Sequence, residues 1–164
     1  MITVRPYQVS DARAVGIVIA DTFGGFNLAT FPPEQQAALL GPFYHARSLD
    51  PAHQQRIADV LQADIVVVAE AEGEVVGVLR GRHDKLQSLF VSGAWHRQGI
   101  GRRLVEAFEA ECLRLGPTVI RLQATLYAVP FYLSVGYKKS TGVRLMRVFA
   151  GQGFPYQPMR KVLP

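Results

Sequence analysis

Residues 89–104 decide the fold, and they read Leu89-Phe90-Val91-Ser92-Gly93-Ala94-Trp95-His96-Arg97-Gln98-Gly99-Ile100-Gly101-Arg102-Arg103-Leu104. An apolar strand runs into a loop, and the loop ends in a Gly-x-Gly where a helical pattern begins. The first amides of a helix have no intrahelical partner and carry partial positive charge. Glycines let such amides curl around an anion. The stretch therefore predicts a diphosphate site between a strand and a helix, with arginine charge nearby.

Two familiar phosphate-binding loops are excluded by the same residues. The chain has no G-x-x-x-x-G-K-[ST] of the P-loop kind, and Leu104 stands where G-x-G-x-x-G needs its third glycine. A Gly-x-Gly alone is also compatible with a purely structural helix start. The phosphate site therefore needs a second signal elsewhere in the chain.

The residues after the loop predict a long helix followed by short elements. Its apolar stripe reaches about Leu115 and stops at Gly116-Pro117; the stripe consists of Leu104, Phe108, Cys112 and Leu115. Further elements are predicted as a strand at 118–124, a short helix at 128–135 and a strand at 143–149. The tail, 151–164, is rich in glycine and proline and is expected to be irregular.

The residues before the loop predict helices first and strands second. A strand at 2–7 precedes helices that begin near Ser10, Pro32 and Asp50. Strands are then predicted at 65–69, 75–79 and 85–91, with a polar turn at 70–74. Because one helix crosses between two strands, we expect residues 1–164 to form a single domain of mixed α/β (α+β) class.

Composition narrows the functional classes. The chain has 164 residues with 49% hydrophobic and 19% charged, which is typical of a globular domain. It has no apolar run long enough for a membrane span and no signal-peptide pattern, and its single cysteine, Cys112, favours a cytoplasmic protein. No histidine and carboxylate set has metal-ligand spacing, so we expect no metal site. The net charge of +5 fits either a nucleic acid or a phosphorylated cofactor and does not decide between them; because no nucleic-acid motif accompanies the charge, we do not expect a nucleic-acid partner.

The loop and a second motif together resemble a known protein family. His96-Arg97-Gln98-Gly99-Ile100-Gly101 resembles the acyl-CoA signature Q/R-x-x-G-x-G/A of the GNAT superfamily of N-acetyltransferases, with His96 at the first position. Residues 125–137 resemble that family's N-x-x-A-x-x-F-Y-x-x-x-G-F. Ala128, Phe131, Tyr132 and Gly136 match, Thr125 replaces the asparagine, and Tyr137 replaces the last phenylalanine. The two motifs together are far more specific than either alone.

The resemblance implies a fold and a cofactor site. The fold is a central mixed, mostly antiparallel sheet flanked by helices and splayed between the fourth and fifth strands, with acetyl-CoA as the co-substrate. The pantetheine arm is expected to meet the backbone of Leu89, Phe90 and Val91. The pyrophosphate is expected at the loop of Arg97, Gln98, Gly99, Ile100, Gly101 and Arg102. The Thr125 hydroxyl is expected to reach the cofactor.

The same resemblance implies direct acyl transfer to a primary amine of a small molecule or peptide. Tyr132 is expected to act as the acid that meets the leaving thiolate. The general base stays open among Asp84, His83 and His45, and the aromatic segment 23–49 is expected to contribute to the acceptor wall. A non-catalytic acyl-CoA sensor is the alternative function. A homodimer stays open as well.

Overall fold

The computed structural model describes residues 1–116, 118–146 and 153–164. Its helices are α1 (Ala12–Thr22), α2 (Pro33–Leu40), α3 (Pro51–Leu61), α4 (Ile100–Leu115) and α5 (Val129–Ser134). Its strands are β1 (Ile2–Pro6), β2 (Ile65–Ala71), β3 (Glu74–Arg82), β4 (Lys85–Val91), β5 (Val119–Thr125), β6 (Lys138–Lys139), β7 (Arg144–Met146) and β8 (Phe154–Val162). Within the described ranges, no helix is long and apolar enough to cross a membrane.

The strands form one sheet in the order β1-β2-β3-β4-β5-β8-β6, with β7 also paired to β8. Every neighbouring pair is antiparallel except β4 and β5, which are parallel and are connected through α4. The predicted class, a mixed and mostly antiparallel sheet flanked by helices, is confirmed.

The sheet opens between β4 and β5. These strands pair only at Lys85↔Arg121 and Leu86↔Leu122. β3 nevertheless stays paired with β4 as far as Val91, and β8 stays paired with β5 as far as Thr125. Each strand is held by its other neighbour while the two separate, so the predicted splay is present.

Two apolar layers cover the sheet. One cluster joins α4 to β5, with Leu104, Phe108 and Cys112 against the alternating residues Ile120, Leu122 and Ala124. The other joins α1 and α3 to Val68 and Val78 on the opposite face. Leu115, predicted on the α4 stripe, is instead 49% exposed, because the helix ends at Gly116 and exposes its last turn.

The tail prediction was wrong. Residues 154–162 form β8, which pairs with β5 from Val119↔Val162 to Thr125↔Tyr156. Glycine and proline content is a local signal, whereas Phe154 and Met159 become buried only when the strand docks on the sheet. The strand predicted at 143–149 is present as β7 over Arg144–Met146, and residues 147–149 lie outside the described residues.

The hairpin between β2 and β3 is tighter than the sequence suggests. Ala71 pairs directly with Glu74, so Glu72 and Gly73 alone make the turn, both with positive φ. This is the backbone of a type I′ turn, whose twist matches that of the flanking strands. The predicted polar turn at 70–74 is therefore shorter, and both strands are longer.

Candidate active site

A cleft of about 800 Å³ opens where β4 and β5 separate. β4 and β5 line it from the sheet, the loop before α4 and the first turn of that helix line one end, and α5 lines a side. Residues from α1 and the π-helical turn Phe23–Asn27 line it from the opposite face. Both sequence motifs thus meet at one cavity.

The inner edge of β4 offers free backbone groups to the cleft. The Ser92 amide donates to the Val76 carbonyl on β3 (2.8 Å), and backbone groups alternate in direction along a strand. The amides of Leu89 and Val91 therefore point toward the gap, and Phe90 bonds toward β3. The Val91 carbonyl already accepts from His96 Nε2 at 2.6 Å and from the Thr22 hydroxyl at 3.4 Å.

The loop before α4 has the backbone of an anion cradle. Arg97 and Gly99 have positive φ, 62° and 79°, which turns successive amides to one side. The first intrahelical bond runs from the Arg103 amide to the Gly99 carbonyl (3.1 Å). The amides of Ile100, Gly101 and Arg102 come before it and have no intrahelical partner. Gln98 is exposed and does not line the cleft.

The two glycines of this loop serve different needs. Gly99 adopts a left-handed backbone, and a Cβ added there would meet nothing within 4 Å. A Cβ on Gly101 would lie 3.0 Å from the ring of Phe131. Gly101 therefore allows close packing of α4 on α5, which the Arg102 guanidinium reinforces by donating to the Ser134 carbonyl (3.2 Å).

Tyr132 lines the cleft from α5 and is 5% exposed. Its ring packs edge-on against Phe131 and Tyr137. Burial raises the pKa of Tyr132 well above its ordinary value, because the phenolate would lose its hydration. No described residue hydrogen-bonds to its hydroxyl. The phenol is therefore protonated and free to donate to a ligand.

A bridge of side chains crosses the mouth of the splay. The Thr125 hydroxyl donates to Asn27 Oδ1 at 3.0 Å, so it is already engaged within the protein. Phe26 lies 4.8 Å from the His96 ring and 5.7 Å from the Tyr127 ring, between centroids. The sequence gives no signal for this bridge, because the pair Gly24-Gly25 is typical of a helix end. Those glycines instead continue α1 into the turn Phe23–Asn27.

The aromatic segment 23–49, expected to contribute to the acceptor wall, places only some of its side chains at the cleft. Phe26 and Phe43 line the cleft. Phe31 stacks on Phe154 in the core (5.6 Å), while Tyr44 is exposed and away from the cleft. Arg47 makes a two-pronged pair with Asp21 at 2.7 Å.

The candidate bases do not reach the cleft. Asp84 accepts from Arg82 Nε at 2.9 Å, and His45 stacks on His53 with 4.0 Å between ring centroids. Neither they nor His83 line the cavity. Its lining over the described ranges includes His96 and three arginines but no carboxylate. Those ranges hold no group of potential metal ligands either.

Comparisons with known proteins agree with this geometry. The family profile described as an acetyltransferase (GNAT) domain matches residues 29–163. A GCN5-related N-acetyltransferase from Rhodopseudomonas palustris superposes with a TM-score of 0.78 at 20% identity, covering 98% of this chain and 95% of that one. The PaiA N-acetyltransferase from Thermoplasma acidophilum, in complex with coenzyme A, gives 0.74 at 16% identity, covering 99% of each chain.

A third structure is similar over the same length. A ribosomal-protein-alanine N-acetyltransferase from Brucella melitensis gives a TM-score of 0.62 at 20% identity, covering 98% of this chain and 99% of that one. At these identities the solved structures establish the fold alone. No curated protein sequence matches the chain significantly.

Proposed function

Because the chain belongs to the GNAT acetyltransferase family, we propose that it transfers the acetyl group of acetyl-CoA directly to a primary amine of a small molecule or peptide. One observation carries the proposal. The amide cradle before α4, the free edge of β4 and the unpartnered phenol of Tyr132 all face the same cleft. A cytoplasmic location is part of the proposal and rests on the single, buried Cys112.

The chain offers a place for each part of the co-substrate. The amides from Gly99 to Arg102 would hold the pyrophosphate, with Arg97 and Arg102 adding charge. Leu89 and Val91 would bond the pantetheine amides, as an added strand does at a free sheet edge. Phe90 would contribute its side chain rather than its backbone. Thr125 would contact the co-substrate only if its bond to Asn27 opened.

Acetyl-CoA would supply an activated thioester, and the chain's residues would position it and stabilise charge. A strand amide of Leu89 or Val91 would donate to the carbonyl oxygen as negative charge develops there. The Tyr132 phenol would donate to the departing sulfur. Since its pKa is raised above that of an ordinary thiol, it would act mainly by hydrogen bonding. Solvent would then complete the protonation of the thiolate, which balances the proton that the attacking amine nitrogen loses.

The acceptor must lose a proton without a carboxylate beside it. Among the described residues that line the cleft, His96 is the only histidine. Its Nε2 bonds to the Val91 carbonyl at 2.6 Å. A carbonyl can only accept, so Nε2 carries the hydrogen and Nδ1 is left as an acceptor. We assign proton removal to water, with His96 Nδ1 as the group to test.

Acetyl-CoA should bind the purified protein in the presence of a chelator, because the proposed cradle consists of backbone amides and arginines. Isothermal calorimetry with EDTA measures this, beside thiol release with a panel of amines. Absence of binding at millimolar co-substrate would overturn the proposal. Tight binding with no thiol release for any amine would instead identify a non-catalytic sensor.

Gly99→Val should weaken acetyl-CoA binding by more than tenfold, or about 1.4 kcal/mol. The side chain resists the left-handed backbone that aims the cradle amides. Gly73→Val is the matched control, because φ is +81° at Gly73 and +79° at Gly99, and a Cβ added at either position would meet nothing within 4 Å. Both variants should lose similar stability in urea, and only Gly99→Val should lose affinity. Equal affinities would place the phosphate site elsewhere.

A further inference from the structure

Arg80 lines the cleft from the face of the sheet opposite α4. It lies on β3 two residues after Val78, so both side chains share one face of the sheet. Val78 packs in the cluster of α1 and α3, the face opposite α4. Arg80 therefore lies across the sheet from the helix whose N-terminus forms the pyrophosphate cradle.

Arg80 and its cross-strand neighbour Ser88 are both unsatisfied. They pair in register on β3 and β4, and both line the cleft. Arg80 Nε and Ser88 Oγ are buried, and neither has a hydrogen-bond partner among the described residues. Two polar side chains on one wall thus leave donors without a partner in the part of the chain that the structure describes.

A half-buried guanidinium whose Nε is buried without a partner among the described residues is costly. It keeps its charge in proteins, and burying a charge without a partner opposes folding. Desolvation lowers the pKa of Arg80 from its ordinary value, which reports the same cost. The described lining of the cleft has no carboxylate, and residues 147–152 contain no Asp or Glu. The missing counter-charge is therefore expected from a ligand.

A second cationic cavity adjoins the cleft. It has a volume of about 360 Å³ and shares Leu122 and Gln123 with the cleft. Its cations are Arg82, Lys85, Arg121 and Arg144. Arg82 pairs with Lys85 in register, and Lys85 pairs with Arg121, so like charges face each other across three strands. Such like-charge pairs are destabilising without a counter-ion. Among the described residues, Asp84 forms an ion pair with Arg82 and with no other of these cations.

We propose that the acceptor is an anionic amine, whose carboxylate or phosphate group pairs with Arg80 and accepts from Ser88 while its amine reaches the thioester. This inference rests on the proposed acetyl transfer and specifies its substrate class. The cations of the adjoining cavity attract such a substrate into the cleft. A guanidinium near the bound amine also favours the neutral amine, the form that attacks.

The experiment compares matched acceptors at saturating acetyl-CoA. One pair is an amino carboxylate and its carboxamide, and the other is phosphoethanolamine and ethanolamine. In at least one pair, kcat/KM should be more than tenfold higher for the anionic member. The pair with the larger ratio distinguishes carboxylate from phosphate.

Variants assign the preference to Arg80. Arg80→Gln should reduce the ratio to threefold or less with acetyl-CoA affinity unchanged, and Arg80→Lys should retain part of it. Arg56→Gln, at an exposed position on α3 away from both cavities, should retain all of it. Equal use of charged and neutral acceptors by the wild-type protein would overturn the inference alone. A full preference in Arg80→Gln would do the same. Failure to acetylate any amine would overturn the proposed function, and this inference with it.

Discussion

Tyr132→Phe should lower kcat by at least tenfold and leave the affinity for acetyl-CoA nearly unchanged. The substitution removes one hydroxyl from a residue that is 5% exposed and lines the cleft, so ring packing is preserved. Donation to a leaving group typically contributes on the order of a hundredfold or more. A loss confined to kcat identifies an interaction made mainly in the transition state.

Tyr137→Phe is the matched control. Tyr137 is 1% exposed and contacts Tyr132 edge-on, with 5.8 Å between ring centroids. Its buried hydroxyl has no hydrogen-bond partner among the described residues. It does not line the cleft. Removing that hydroxyl should leave kcat unchanged and stability unchanged or slightly higher. Full activity in Tyr132→Phe would make Tyr132 a packing residue. Loss of acetyl-CoA binding in that variant would instead show that the Tyr132 phenol binds the thioester in the ground state.

Gly81→Ala should destabilise the protein by about 3 kcal/mol. A Cβ at Gly81 would lie 2.6 Å from the Lys85 carbonyl oxygen and 2.6 Å from the ring of Phe108. The carbonyl belongs to the backbone of β4, and Phe108 is fully buried under the sheet. Neither can move without disturbing the other, so we expect the added methyl to strain both layers.

The position of Gly81 links this stability effect to function. Gly81 pairs with Leu86, and Leu86 pairs with Leu122 at the last register before β4 and β5 separate. The register shifts between Arg80 and Gly81, which leaves Gln87 as an extra residue on β4 beside the point where the strands separate.

Urea denaturation measures the Gly81 effect against Gly142→Ala. A Cβ at Gly142 would meet nothing within 4 Å, so that variant should stay within about 0.5 kcal/mol of wild type. A loss below 1 kcal/mol in Gly81→Ala would show that α4 can shift away from the sheet.

Local signals in the sequence predicted the strand, loop and helix that border the cleft. The strand before residue 92, the Gly-x-Gly and the apolar period of α4 each depend on a few neighbouring residues. Tyr132 was placed by its motif, and the structure locates it on the cleft. These features were readable because dihedral preferences and helical periodicity act over one or two turns.

Signals that depend on distant partners were misread or missed. β8 looked irregular because its prolines outweighed an apolar pattern that matters only once β5 is beside it. Gly101 was interpreted only as part of the phosphate loop, whereas a Cβ there would lie 3.0 Å from the ring of Phe131, so the absence of a side chain at this position also serves helix packing. The bond from Thr125 to Asn27 joins residues 98 positions apart, and no local pattern encodes it.

The sequence by itself determined the family, the loop proposed to hold a diphosphate, and the strand and helix on either side of it. Only the tertiary structure decided which side chains line the cleft. The candidate bases lie outside it, whereas Arg80 and Ser88 are neighbours on its wall, and their Nε and Oγ atoms have no hydrogen-bond partner among the described residues. The physical reason is that backbone conformation is set by neighbours along the chain, whereas charge compensation is set by neighbours in space. Which cations lack a counter-charge becomes visible only once the sheet has placed them.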